Sequence, residues 1–121
     1  MPVEMNTPLG KIDVTEEVIA RISGGAAMEV FGLVGMASRK AFKDGIAEML
    51  RLDNLSKGVV VRNENGQVVL DMHIIVSYGT KISEVAGNVQ RRVRYTLEQT
   101  VGIDVSAINI YVQGVRTERE T

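Results

Sequence analysis

Apolar residues along this chain recur at two spacings, and each change of spacing marks a change of element. Lys11-Ile12-Asp13-Val14 alternates polar with apolar, the period of a short strand. Asp13 or Thr15 can cap a following helix, and Glu16 and Glu17 suit its first turn because carboxylates complement the positive end of the helix dipole. Val18, Ile19, Ile22, Ala26 and Val30 then share one helical face. Gly24-Gly25 falls in its middle. Since each glycine costs a helix about 1 kcal/mol relative to alanine, the pair predicts close packing, a kink or an early break. Phe31-Gly32-Leu33-Val34-Gly35-Met36-Ala37 reads as a buried turn or irregular strand. Phe42, Ile46, Met49 and Leu50 form a second helical stripe of about three turns, with Lys43, Asp44, Glu48 and Arg51 turned elsewhere.

The second half is more sharply patterned. Val59-Val60-Val61-Arg62 and the run from Val68 to Tyr78 flank Glu64-Asn65-Gly66-Gln67, and Asn-Gly is the favoured pair of a two-residue type I′ hairpin turn. In the second arm Val68, Leu70, Met72, Ile74, Val76 and Tyr78 fall on one face, and Val69, Asp71, His73, Ile75 and Ser77 on the other. That alternation predicts an antiparallel sheet covered on one side only. Thr80 is placed to cap a helix whose apolar positions are Ile82, Val85, Ala86, Val89, Val93 and Leu97, and Gly102 to end it in a left-handed conformation. A last strand follows, with Ile108, Ile110 and Val112 toward the core and Ala107, Asn109, Tyr111 and Gln113 outward. The expected fold is a two-layer α+β domain of order βα(α)ββαβ, a mainly antiparallel three- to four-stranded sheet with helices packed on one face. Residues 1–8 are expected to be a flexible N-terminus, 9–115 the single domain, and 116–121 a frayed polar tail.

Composition narrows the chemistry. The 121 residues suit one domain, and 45% hydrophobic with 24% charged residues excludes wholesale disorder. Fourteen basic and fifteen acidic residues leave a net charge of -1, so no global field draws the chain to nucleic acid or anionic lipid. With no cysteine there are no disulfides, thiolate metal sites or thiol nucleophiles. One histidine rules out a multi-histidine metal site within one chain. The opening residues have neither the basic nor the apolar region of a secretory signal, and the longest mostly apolar run, Val30 to Ser38, is too short to span a bilayer. Cytoplasmic residence is the resulting expectation.

Candidate reactive groups are few. Asp71 and His73 project from one face of a strand, a geometry that two metal ligands could use, but zinc needs three or four and a solvated sheet face is the ordinary reading. Asp44 and Glu48, four apart on a helix, sit among Lys40, Lys43 and Arg51 as on any exposed face. No nucleophile elbow surrounds a serine, and the Gly24-Gly25 and Gly32-Leu33-Val34-Gly35 segments match no phosphate-binding loop. No catalytic residue, cofactor or metal is expected. Arg91, Arg92 and Arg94 form the densest basic cluster, able to meet an anionic partner, yet they point to different sides of their helix with Glu84 and Glu98 close by. The uncovered sheet face would carry Val69, His73, Ile75, Asn109, Tyr111 and Gln113, apolar and aromatic groups in a polar surround, as protein contact surfaces are built.

Several segments also match a known family in order. Gly10-Lys11-Ile12-Asp13-Val14-Thr15-Glu16-Glu17-Val18-Ile19, Phe31-Gly32-Leu33-Val34-Gly35-Met36, Asp44-Gly45-Ile46-Ala47-Glu48-Met49-Leu50, Val76-Ser77-Tyr78-Gly79-Thr80-Lys81-Ile82 and Thr100-Val101-Gly102-Ile103-Asp104-Val105 resemble the alkaline shock protein family, also called envelope stress response proteins. The resemblance runs from about Leu9 to Val115. It implies a small non-enzymatic bacterial cytoplasmic protein linked to envelope or alkaline stress, with no catalytic residues to carry over, and in some members held near the membrane by an anchoring partner. The reading is thus an interaction or scaffold protein acting by self-association and by binding a membrane-anchored protein. The alternative is a small nucleic-acid-binding domain using the Arg91, Arg92 and Arg94 helix.

Overall fold

The computed structural model describes residues 3–38 and 49–117. Val3–Thr7 (β1) and Gly10–Val14 (β2) form an antiparallel hairpin, followed by α1 (Glu16–Ala27) and β3 (Leu33–Met36). A 3-10 helix, Leu52–Gly58, runs into β4 (Val59–Glu64), then β5 (Gln67–Ser77), α2 (Ile82–Thr100) and β6 (Val105–Arg116). The expected α+β architecture is present, with one strand more at its start.

β5 is the spine of the main sheet. One of its edges pairs antiparallel with β4 over Gln67 to Met72 and then with β3 over Ile74 to Val76, while β6 pairs parallel along the other. The β4–β5 turn is the one expected: Asn65 and Gly66 both have positive φ, 53° and 81°, as a type I′ turn requires. From β5 the side chains of Val68, Leu70, Met72, Ile74 and Val76 enter the core. They meet Ile19, Ala20, Ala26 and Ala27 of α1 and the stripe Val85, Val89, Val93 and Leu97 of α2. Val18, expected on the buried face of α1, is exposed instead.

Local rules explain the helix ends. Thr15 caps α1 by accepting from the Val18 N–H, with Glu16 and Glu17 in the first turn. Gly24 lets the 3-10 helix approach, since a Cβ there would lie 3.0 Å from Leu55 Cβ, whereas Gly25 faces open space. The close-packing reading of the pair therefore holds for Gly24 alone. Gly102, at φ 84°, ends α2 and donates to the Leu97 carbonyl.

The structure corrects several expectations. Val3–Thr7 is not a loose end: Val3 is buried, Met5 packs on the core, and the Thr7 hydroxyl closes the tip by donating to the Gly10 carbonyl and accepting from the Leu9 N–H. Thr80 does not cap α2. Its hydroxyl donates to the Ser77 carbonyl at 2.7 Å, and the helix starts two residues later without a side-chain cap. Tyr78 lies beyond the strand and is exposed. The expected helix around Phe42 and Ile46 lies outside the described residues, but Met49, given to that helix, instead bridges Ala37 beside β3. The polar tail likewise lies outside them after Thr117. No helix of the described residues is long and apolar enough to cross a membrane.

Candidate functional site

The face of β5 away from α1 and α2 was expected to be open, and the structure closes much of it. Ile75 is fully buried in a second small cluster with Ala37, Val34 and Met49. Gly35 makes room for that lid, because any Cβ there would lie 2.7 Å from Met49 Cγ. The backbone reinforces it: the Ala37 N–H donates to the His73 carbonyl and the Leu50 N–H to the Met36 carbonyl. His73 and Val69, also expected on the open face, are buried at 4% and 8% exposure. The expectation of an open face thus fails at Val69, His73 and Ile75; at Ile75 the reason is that Val34, Ala37 and Met49, distant in sequence, cover the strand.

What remains accessible is built around polar partners. Arg62 stands opposite Val69 in the β4–β5 register and reaches diagonally to Asp71 with a two-pronged contact, Nε to Oδ2 at 2.9 Å and Nη2 to Oδ1 at 3.0 Å. The same guanidinium also contacts Glu64. On the other side Asn109 Nδ2 donates to Asp71 Oδ1 at 2.9 Å, so Asp71 ties three strands together. One row further the His73 and Tyr111 rings stack at 5.1 Å, 19° from parallel. Asn109 and Gln113 are half-buried, and Tyr111 is 36% exposed.

Burial alone would raise the Asp71 carboxyl, but the hydrogen bonds from Arg62 and Asn109 and the charge of Arg62 outweigh it and hold the group below its ordinary 3.8. Arg62 is correspondingly raised, chiefly by its hydrogen bond to Asp71. A carboxylate depressed by folding adds stability above its unfolded value, and that contribution disappears as pH falls through the depressed one. The stability difference between wild type and Asp71→Asn, measured by urea unfolding, is therefore expected to be largest near neutrality and to shrink once the pH passes below 3.8. A difference independent of pH would contradict the pairing.

β6 supplies the other accessible feature. It is twelve residues long, and among the described residues its only strand partner is β5. Gln90 of α2 donates to its Ile108 carbonyl at 2.8 Å, and Ser106 reaches across to the Val68 carbonyl. The rest of its outer edge is a row of backbone donors and acceptors with no neighbouring strand among the described residues.

The arginine cluster is dispersed. Arg92 contacts Glu29 of the α1–β3 connection at 3.0 Å, and Arg91 bonds Asn88 within its own helix. Arg94 is exposed on a third bearing, so the three do not converge on one phosphate-sized site. Among the described residues no group of three or more His, Asp or Glu side chains could hold a metal ion. A cavity of about 330 Å³ lies between Glu16, Glu17 and Ala20 of α1 and Ser56, Lys57 and Val59 to Val61, with Ser56 donating to Glu17 across it. Nothing in the periodicity of the sequence foretells it.

Comparison with known proteins gives a consistent picture. Residues 4–117 match the model of a family described as the alkaline shock protein 23 family, cell envelope-related function. The chain is 58% identical over 116 residues to the uncharacterized protein YloU of Bacillus subtilis, covering 96% of this chain and 97% of that one. It is 43% identical over 120 residues to the uncharacterized protein Spy1614 of Streptococcus pyogenes, covering 99% of both. A third relative, the uncharacterized protein YqhY of Bacillus subtilis, is 35% identical over 111 residues, 92% of this chain and 81% of that one. No solved structure matches the chain.

Proposed function

This chain belongs to the alkaline shock protein 23 family, with its cell envelope-related function, and on that premise we propose that it is a non-enzymatic scaffold that works by self-association and by binding a membrane-anchored partner on the cytoplasmic side. The observation carrying this reading is the outer edge of β6. A long strand with one neighbour is a template for a further strand, because every second residue offers an N–H and a C=O to whatever lies alongside. Tyr111, Asn109 and Gln113 lie on this same strand, so an added strand would meet an aromatic ring and two amides as well as backbone. The buried face at Ile75 supports the edge over the face as the contact.

Sedimentation of wild type against Tyr111→Asp tests the reading. Tyr111 is accessible enough for the variant to fold, and a charge beside the edge is how natural sheets discourage pairing. Wild type is expected to sediment as an assembly at micromolar concentration and the variant to shift toward the monomer. Equal assembly and equal capture of the anchoring protein by both would remove the proposal.

A further inference from the structure

The two ends of the main sheet differ in character. At one end the β4–β5 turn presents Glu64, Asn65, Gly66 and Gln67, all polar or glycine. At the other, four of the nine exposed large apolar or aromatic side chains of the described residues gather: Phe31 at 90% exposure, Tyr78 at 75%, Val115 and Ile82. The backbone holds their segments together. Ser77 donates to the Gly32 carbonyl and Tyr78 to the Arg116 carbonyl, each at 2.8 Å, which fixes the Phe31 loop, the Tyr78 loop and the end of β6 as one tip beside the start of α2.

The Phe31 loop packs closely on α2. Gly32 sits at φ 95°, and a Cβ there would lie 2.7 Å from Val85 Cγ2, so the loop is pressed onto α2 and Phe31 is held outward. Phe31 also borders a shallow recess of about 250 Å³ with Gly79, Thr80, Lys81, Glu84, Val85 and Asn88. Among the described residues Lys81 and Glu84 line that recess and Arg116 is joined to Tyr78 through the backbone, while Glu29 is engaged by Arg92.

We propose that this tip, Phe31 and Tyr78 flanked by Lys81 and Arg116, rests directly in the interfacial region of a bilayer carrying anionic headgroups. Aromatic rings favour the boundary between headgroups and acyl chains, and cations beside them meet the lipid phosphates. A small tip of aromatic and basic groups suits that boundary better than a protein partner, for which a larger complementary surface is needed. The contact is shallow, so it is reversible and adds to whatever the strand edge binds. It uses different residues from the β6 edge and stands or falls separately.

The chain contains no tryptophan, so Phe31→Trp places a single reporter at the tip. With vesicles of phosphatidylcholine containing about one-third phosphatidylglycerol, its emission is expected to shift blue and brighten, and less so with phosphatidylcholine alone. Wild type is expected to float with the anionic vesicles, and Phe31→Ser with Tyr78→Ser to do so about tenfold less while keeping its circular dichroism and thermal midpoint. Unchanged emission on adding lipid, or equal flotation of the double variant, overturns the proposal. Emission that shifts with protein concentration and not with lipid overturns it too, and marks the tip as a contact between copies.

Discussion

Ile75→Asp is expected to abolish the folded state at ordinary temperature. The side chain is wholly buried among Ala37, Val34 and Met49, on the strand that pairs with all three of its sheet neighbours. A carboxylate there would sit among apolar side chains of the described residues, and burying a charge in such surroundings costs about 4 kcal/mol or more. Against a domain stability of about 5–15 kcal/mol that is a large fraction. Ile75→Val, which removes one methyl group, should cost only about 1 kcal/mol. Urea unfolding followed by circular dichroism checks both, and an Ile75→Asp protein as stable as wild type would mean the lid over this face is absent in solution. Loss of assembly in Ile75→Asp would consequently say nothing about the contact surface, which is why Tyr111 is the better probe.

The second large effect is at Gly58, where the 3-10 helix enters β4. A Cβ at this position would lie 2.7 Å from the Ala37 carbonyl oxygen and 3.1 to 3.2 Å from Met36 side-chain atoms. The Ala37 backbone cannot retreat freely, since its N–H is bonded to His73 and the residue bridges Met49. Gly58→Ala is therefore expected to destabilise by about 1–3 kcal/mol through overpacking, and to loosen the lid over Ile75 with it. Gly25→Ala is the control, because open space lies where its Cβ would go and the glycine is inside a helix. Thermal unfolding should show the first variant lowered and the second unchanged or raised. A Gly58→Ala protein that melts with wild type would contradict the close approach.

How far the sequence reveals this molecule depends on how local each determinant is. The Asn65-Gly66 turn is legible because only a few residue types accept two consecutive positive φ values, and it sets the register of both arms. The stripes of β5 and α2 are legible because one face of each enters a single core. The resemblance to the alkaline shock protein family is borne out by the family match over residues 4–117. The lid on β5 was hidden, because Met49 lies far from Ile75 in sequence and its pairing with Ala37 leaves no periodic trace. The Arg62–Asp71 pair lay within reach: counting outward from the turn puts Arg62 opposite Val69 and diagonal to Asp71. Asn109 joins only once β6 is laid parallel to β5, which needs the whole crossover through α2. β1 leaves no trace in the pattern because two apolar residues, Val3 and Met5, are too few to establish a period.

Amide hydrogen exchange across β6, followed as protein concentration rises, bears most directly on a scaffold that grows by strand addition. Slowing of exchange confined to Val105–Arg116 is the predicted result, since outward amides there would pass from water to a neighbouring strand. Exchange in β6 that ignores concentration, while assembly forms and protection appears on another element, would contradict it.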